Sequence, residues 1–226
     1  MSLKEQISRV EERIQLACKR AGRNRDDIQI IGVTKYVDLS CTRDVLKSGI
    51  HHLGENRWQN AKEKWEEIGD EATWHFIGHL QTNKTKDVVG RFAYIHSLDR
   101  IALLQELDKK AAQMNVTIQA FIQVNISGEE SKYGLTPDQL FPFVTETNLY
   151  PHVRIVGLMT MAPHEANPED TRPVFQGLRM LRDELNERAI IEHTIDHLSM
   201  GMSNDYEIAI EEGSTWLRLG SILFAE

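Results

Sequence analysis

Apolar side chains near the start of the chain recur at the spacing of an amphipathic helix. Leu3, Ile7, Val10 and Ile14 lie three or four positions apart, so a helix would place them on one face. Gly22 follows this segment, and glycine ends helices because it readily adopts a left-handed backbone conformation. The pattern therefore predicts an opening helix whose apolar face covers a core.

From residue 28 onward, apolar and β-branched runs alternate with segments of helical periodicity. The first run, IQIIGVTK, is nearly continuous, as in a strand that is buried on both faces. We predict strands over residues 28–35, 51–55, 74–80, 93–97, 116–125, 153–161, 197–200 and 215–219. Between them we predict helices over residues 42–48, 56–68, 82–89, 99–114, 137–145, 168–188 and 204–212.

Strands that alternate with helices indicate an α/β fold with a parallel sheet. About eight such units in 226 residues match a single (β/α)₈ TIM barrel, here with an extra N-terminal helix. A doubly wound open sheet is the alternative, but no GxGxxG motif follows the first strand. No proline- or glycine-rich linker divides the chain, so we expect residues 1–226 to form one domain.

Charge and composition narrow the classes of partner. The chain carries 26 Lys and Arg against 34 Asp and Glu, a net charge of −8, which disfavours nucleic acid because phosphate binding needs a basic face. The charged N-terminus lacks the apolar centre of a signal peptide, and no apolar run of about 18 residues is present. We therefore expect a cytoplasmic protein with no membrane partner.

The cysteines and histidines do not fall into metal-binding patterns. Cys18 and Cys41 form no CxxC motif, and none of the nine histidines belongs to an HExxH motif. We therefore expect neither a disulfide framework nor a structural metal site.

The first predicted strand ends in a lysine, Lys35, at the end of the barrel where TIM-barrel proteins bind ligands. The strand pattern alone leaves two interpretations, a solvated lysine outside the barrel or a lysine held in its mouth. In the mouth, desolvation and nearby cations would lower the pKa of the lysine and free its amine to attack an aldehyde. Such chemistry suits a class I aldolase or pyridoxal 5'-phosphate (PLP).

The segments after strands seven and eight, SMGMSNDYE and RLGS, have the composition of phosphate-binding loops. TIM barrels often bind phosphate with these two loops, where glycines allow close backbone approach and serines donate hydroxyl groups. Ordinary turn chemistry is the alternative. A closed barrel places strand one beside strand eight, so a ligand that carries both an aldehyde and a phosphate would fit.

A resemblance to a known family spans nearly the whole chain. It rests on the segments VTKYVD, HHLGENRWQN, WHFIGHLQTNK, QVNISGEESKYGL, GLMTMAP and LSMGMSNDYEIAIEEGSTWLRLGS. Together they resemble the PLP homeostasis proteins, which are relatives of the N-terminal domain of alanine racemase. The combination is far more specific than any one segment.

The resemblance implies the residues that bind the cofactor. In chain order they are Lys35, Asn56, Ser199, Gly201, Met202, Arg218, Gly220 and Ser221. Lys35 would form a Schiff base with PLP, Asn56 would lie near the ring, and Arg218 would face the pyridine nitrogen.

The phosphate contacts implied by the resemblance come from the two late loops. Ser199, Gly220 and Ser221 would contact the phosphate, and Gly201 and Met202 would shape the same cup. Members of the family often have threonine at the position of Ser221, and serine keeps the hydroxyl group.

An arginine that faces the pyridine nitrogen bears on catalysis. It donates to an unprotonated nitrogen, which leaves the ring a poor acceptor for carbanions. We therefore expect no robust catalysis. The family resemblance implies a role in intracellular PLP homeostasis and in amino-acid and keto-acid balance. A PLP-dependent racemase or decarboxylase is the alternative, with Tyr36, His79 and Tyr133 as candidate bases. PLP-requiring apo-enzymes are the candidate partners, and we expect a monomer.

Overall fold

Eight parallel strands close into a barrel, in which each strand pairs with the next and the last pairs with the first. The structure is a computed structural model that describes residues 2–163 and 166–224. The strands are β1 (Gln29–Val33), β2 (His52–Glu55), β3 (Thr73–Phe76), β4 (Tyr94–Leu98), β5 (Ile118–Gln123), β6 (Val153–Met159), β7 (His197–Ser199) and β8 (Trp216–Leu219). The predicted TIM barrel is confirmed.

Within the described residues, one α-helix precedes β1, seven connect consecutive strands around the outside of the barrel, and one follows β8. They are α1 (Leu3–Ala21), α2 (Leu39–Lys47), α3 (Trp58–Ile68), α4 (Thr85–Val88), α5 (Ile101–Met114), α6 (Pro137–Thr147), α7 (Arg172–Arg188), α8 (Tyr206–Glu211) and α9 (Ser221–Phe224). α1 is the predicted extra N-terminal helix. In the part of the chain that the structure describes, none of the helices has the length and apolar character needed to cross a membrane.

Local sequence signals fix the bounds of α1 and attach it to the barrel. The Ser2 hydroxyl accepts a hydrogen bond from the Glu5 N–H at 3.3 Å, and the Glu5 carboxylate accepts one from the Ser2 N–H at 2.8 Å, which is a capping box. Gly22 closes the helix with φ 64°. Arg20 on the exposed face pairs with Glu211 of α8 at 2.7 Å, so α1 packs beside the helix that follows β7.

The apolar residues form two separate cores. The larger core lies between the barrel and its helices and includes Ile14 of α1, Leu104 of α5 and Phe175 of α7. A smaller cluster consists of Ile31, Phe121, Val156, Met159 and Trp216, all from strands. The lumen is therefore filled by side chains, as in other TIM barrels, which bind their ligands at the carboxyl end of the strands.

Several predicted bounds differ from the structure. β1 ends at Val33 rather than at Lys35 because the chain turns there, with the Val37 N–H donating to the Thr34 carbonyl at 3.1 Å. β3 is shorter than predicted and ends at Phe76. The segment 168–171 is a 3₁₀ helix before α7, and α9, which has four residues, is too short to show periodicity in the sequence.

Candidate functional site

Lys35 lies in the turn after β1, at the carboxyl end of the barrel strands, and is partly exposed. Its Nζ is 4.9 Å from the ring centroid of Tyr36, a residue that is itself 85% exposed. Among the described residues, no hydrogen bond or ion pair to the Lys35 amine is formed. The amine is therefore available to a ligand at the barrel mouth.

A buried network holds the turn that carries Lys35. Thr34, which is fully buried, donates from Oγ1 to Glu55 Oε1 at 2.7 Å. Lys64 of α3 donates from Nζ to the Thr34 carbonyl at 2.6 Å and to Glu55 Oε1 at 2.8 Å. Three elements are thus tied together directly beneath Lys35.

Sequence reasoning missed Lys64 as a residue that supports the site. Its side chain is only 7% exposed, although a lysine on an amphipathic helix normally lies at the surface. The available signal was its position on the same face of α3 as the buried residues Ala61 and Ile68.

The loops after β7 and β8 meet at a small cup. The Ser203 hydroxyl accepts hydrogen bonds from the N–H groups of Gly220 at 3.4 Å and Ile222 at 3.2 Å. Backbone N–H groups that point at one oxygen in this way can also donate hydrogen bonds to a phosphate oxygen. Ser221 lies between these two donors and is exposed.

Gly201 is required by the shape of the same loop. Its φ of 92° is a left-handed conformation, and a Cβ at this position would lie 2.6 Å from Cβ of Ala209. Next to it, the Met202 N–H donates to Asp205 Oδ1 at 2.6 Å. Gly201 therefore allows the loop to pass close to α8. The hydrogen bond from the Met202 N–H helps to fix the shape of the loop.

Arg218 lies on β8 and is 5% exposed. Its Nη1 donates to Ser199 Oγ at 2.6 Å, and its Nη2 donates to the Thr160 carbonyl at 2.9 Å. Burial lowers the pKa of Arg218 to about 10, and the Asp205 charge acts in the opposite direction. The guanidinium therefore stays charged at neutral pH, and none of the described residues forms a salt bridge with it.

Ser199 lies inside the barrel rather than in the cup that Ser203 and Gly220 form. It is fully buried, and its hydroxyl bonds to Arg218 and to His96 Nδ1, the latter at 2.9 Å. A contact of Ser199 with phosphate stays a prediction. Ser199 and Ser203 stand in the same loop sequence, so the sequence alone could not separate a role beside Arg218 from one in the cup.

Asn56 follows β2 and has an unsatisfied polar atom. Its Oδ1 is buried and has no hydrogen-bond partner among the described residues. A Cβ on Gly78 would lie 2.4 Å from the Asn56 carbonyl oxygen, so glycine at 78 is what lets the loop after β3 pass this close. An unpaired buried amide oxygen beside a barrel mouth is an acceptor that a ligand can satisfy.

Two of the candidate bases contact each other. The rings of His79 and Tyr133 stack with centroids 3.9 Å apart and planes 18° apart, which joins the loops after β3 and β5. Desolvation lowers the pKa of His79, although Asp99, whose Oδ2 is 3.8 Å from His79 Nδ1, raises it in part. A neutral imidazole therefore lies near the mouth.

The donor groups of the mouth fit a ligand with three features. The Lys35 amine suits an aldehyde, the buried Arg218 guanidinium suits an acceptor nitrogen, and the N–H groups of Gly220 and Ile222 suit a phosphate oxygen. In the described part of the chain, no group of three or more His, Cys, Asp or Glu side chains is arranged to hold a metal ion.

Comparison with known proteins agrees with this geometry. Residues 7–226 match the family described as alanine racemase, N-terminal domain. A pyridoxal phosphate homeostasis protein of Aquifex aeolicus is 45% identical over 227 residues, which cover 100% of this chain and 99% of the relative.

Two solved structures share the fold over almost their full length. PipY of Synechococcus elongatus, solved with PLP bound, has a TM-score of 0.86 and 31% identity and covers 99% of this chain and 100% of its own. A structure described as an unknown protein from Bifidobacterium adolescentis has a TM-score of 0.91 and 30% identity and covers 98% of this chain and 94% of its own.

Barrel, mouth and sequence similarity place the chain in the class of alanine racemase N-terminal domains. Within this class it belongs to the family of pyridoxal phosphate homeostasis proteins. The resemblance stated from the sequence is thereby confirmed.

Proposed function

We propose that this protein holds PLP in the barrel mouth and serves in PLP homeostasis, and in amino-acid and keto-acid balance, without robust catalysis. The observation that carries the proposal is Arg218, a buried and charged guanidinium whose hydrogen-bond partners among the described residues are neutral. Such a group donates to an unprotonated pyridine nitrogen. PLP supplies an electron sink when its ring nitrogen is protonated, and Arg218 weakens that chemistry.

Lys35 is the proposed point of covalent attachment. Its amine has no bonded partner among the described residues, and the network of Thr34, Glu55 and Lys64 fixes the turn on which it stands. A fixed turn keeps the amine in one place, which favours attack on an aldehyde bound beside it.

The cup after β7 and β8 is the proposed phosphate site. Ser203 and the N–H of Gly220 would contact the phosphate, the exposed Ser221 would add a hydroxyl, and Gly201 and Met202 would keep the loop in shape. Asn56 would lie near the ring and use its unpaired amide oxygen there. Ser199 would act mainly through Arg218, to which it is already bonded.

A PLP-dependent racemase or decarboxylase is the second candidate. His79 favours it, because a neutral imidazole at the barrel mouth can accept a proton. Arg218 opposes it for the reason given above. Turnover of an added amino acid by the PLP-loaded protein would decide for the enzyme.

Partners and location are proposed from the sequence and from the family resemblance. We propose a single-domain monomer that works in the cytoplasm, with PLP-requiring apo-enzymes as recipients of the cofactor. The net charge of −8 supports the absence of nucleic acid among its partners.

The proposal is tested by adding PLP to the purified protein and to Lys35→Ala and removing free PLP by gel filtration. Wild type keeps an absorbance band of bound PLP, and Lys35→Ala loses the covalent band but keeps the melting temperature of the ligand-free protein. Lys62→Ala, which removes an exposed lysine of α3, is the control and keeps the band. A covalent band in Lys35→Ala, or a large loss of its ligand-free stability, would contradict the role given to Lys35.

A further inference from the structure

The barrel contains a chain of hydrogen bonds that leads to Arg218. His52, His75 and His96 lie on the neighbouring strands β2, β3 and β4. His52 Nδ1 is 3.0 Å from His75 Nε2, and His75 Nδ1 is 2.9 Å from His96 Nε2. His96 Nδ1 then contacts Ser199 Oγ of β7 at 2.9 Å, and this oxygen accepts the hydrogen bond from Arg218.

The three rings are neutral at physiological pH. Burial lowers the pKa of His75 and of His96 well below the ordinary value, and burial also lowers the pKa of His52. A neutral imidazole has one N–H and one bare nitrogen. Each ring can therefore donate a hydrogen bond from one nitrogen only.

Because the three rings are neutral, only two placements of their protons make every contact a hydrogen bond. In the first, each ring carries its proton on Nδ1, and the chain donates toward Ser199. In the second, each ring carries its proton on Nε2, and the Ser199 hydroxyl donates to His96, His96 to His75, and His75 to His52. Any mixture would bring two N–H groups or two lone pairs face to face in a buried place, which is costly.

Arg218 favours the second arrangement. Arginine can only donate, and its bond to Ser199 polarises the hydroxyl and makes it a stronger donor to His96. The negative end of a neutral imidazole dipole is its bare nitrogen, and a positive charge attracts that end. In the second arrangement the bare Nδ1 of every ring lies on the side of Arg218.

We propose that His52, His75 and His96 form an oriented chain of Nε2–H tautomers that serves as a neutral counter-group of Arg218. The chain fixes the guanidinium and supports its charge, as a carboxylate would, but does not cancel that charge. The histidines are positioning residues that act through Ser199. Their effect on PLP rests on the proposed function, because Arg218, which forms no salt bridge with the described residues and which the more distant Asp205 charge also stabilises, would then keep the pyridine nitrogen unprotonated.

The direction of the chain is measured on the ligand-free wild-type protein. Two-bond ¹⁵N–¹H correlation spectra of the histidine-labelled protein identify the protonated nitrogen of each ring, and single variants assign the signals. We expect His75 and His96 to carry the proton on Nε2. A proton on Nδ1 of either ring, or a doubly protonated ring at neutral pH, would overturn the proposal.

The effect of the chain on Arg218 is measured in His75→Phe, which removes both ring hydrogen bonds and keeps a ring against Tyr94. The ¹³Cζ shift of Arg218 reports its titration. We expect the guanidinium to lose its proton roughly tenfold more readily than in wild type, because a cooperative chain is interrupted. His197→Phe is the matched control, since His197 also packs against Trp216 but lies outside the chain.

A second measurement uses the PLP-loaded proteins. The absorbance spectrum of bound PLP should shift in His75→Phe and stay unchanged in His197→Phe. An unchanged Arg218 titration and an unchanged spectrum in folded His75→Phe would overturn the proposal. Failure of wild type to bind PLP would instead refute the proposed function. The tautomers measured on the ligand-free protein would still show whether the histidines form the oriented chain of hydrogen bonds.

Discussion

Arg218 keeps its positive charge in a buried position where the described hydrogen-bond partners are a hydroxyl and a carbonyl oxygen. A buried charge normally requires a partner of opposite charge or a full set of hydrogen bonds. A ligand that brings an acceptor nitrogen to the guanidinium would complete that set. The hydrogen bonds that a buried Arg218 needs and the reactivity of the cofactor that we propose therefore depend on the same contact.

Substitution of this residue tests whether it suppresses catalysis. In Arg218→Glu a carboxylate would favour protonation of the pyridine nitrogen, so racemisation or transamination of L-alanine by the PLP-loaded protein should rise by about tenfold or more, which corresponds to roughly 1.4 kcal/mol in the barrier. Chiral chromatography and pyruvate detection measure the two products. Arg218→Gln, a neutral donor, is the control and should not show the rise. No rise in a variant that still binds PLP would mean that Arg218 is not what limits the chemistry.

At the residue scale, the sequence revealed charged residues that interrupt apolar runs. Lys35 and Arg218 could be located in this way because each stands in or after a buried strand. Lys64 could not, because its burial depends on how α3 packs on the barrel. The different roles of Ser199 and Ser203 depend on the residue at which β7 ends. The hydrophobic pattern of the sequence does not locate that residue.

At the element scale, the contact of Lys64 with Glu55 and Thr34 joins α3 to β2 and to the turn after β1. Glu55 is fully buried, and its Oε2 has no partner within the described residues. The carboxylate therefore depends on Lys64 for its one ionic contact in this part of the chain.

Removal of the lysine should be costly. Lys64→Met leaves a buried carboxylate without its cation, and we expect the free energy of unfolding to fall by about 3–5 kcal/mol, measured by urea denaturation. Lys62→Ala breaks only an exposed pair with Glu66 and should change stability by less than about 1 kcal/mol. Lys64→Met combined with Glu55→Gln should recover part of the loss. Equal stability of Lys64→Met and wild type would refute the structural role of the network.

The order of helices and strands could be predicted from the alternation of two periodicities, whereas several bounds could not. β1 and β3 both end earlier than predicted. After β1 a hydrogen-bonded turn ends the strand, and after β3 the backbone bends at Gly78, although apolar residues continue past both points. These turns also carry Lys35 and the stretch from Gly78 to His79, so the errors in the bounds fall at the candidate site.

At the scale of the whole molecule, neutral buried histidines make the fold sensitive to acid. Burial lowers the pKa of His75 and His96 well below 6.5. The unfolded chain therefore binds protons below about pH 6.5 that the folded chain does not. His75 is enclosed by His52, His96, Tyr94 and Trp216, none of which brings a negative charge.

Stability should consequently fall as the pH drops below about 6.5, by up to about 1.4 kcal/mol per pH unit for each such histidine. Urea unfolding between pH 8 and pH 5 measures this slope. His75→Phe should make the slope shallower. A wild-type slope in His75→Phe would show that this ring does not contribute.

The closed barrel could be predicted because about eight alternating units fill the chain. The histidine chain across the lumen could not be predicted, because it requires the register that brings His96 of β4 opposite Ser199 of β7. Contacts of this kind join residues far apart in sequence, and hydrophobic periodicity carries no information about them. Family resemblance supplied the cofactor, and the structure supplied the groups that support its proposed site.

Chemical trapping shows directly whether Lys35 holds PLP covalently, as we propose. The protein is incubated with PLP, reduced with borohydride, digested and mapped by mass spectrometry. We expect one reduced PLP adduct per chain, on the peptide that contains Lys35. An adduct on another lysine, or no adduct in protein that has been shown to be folded, would contradict it.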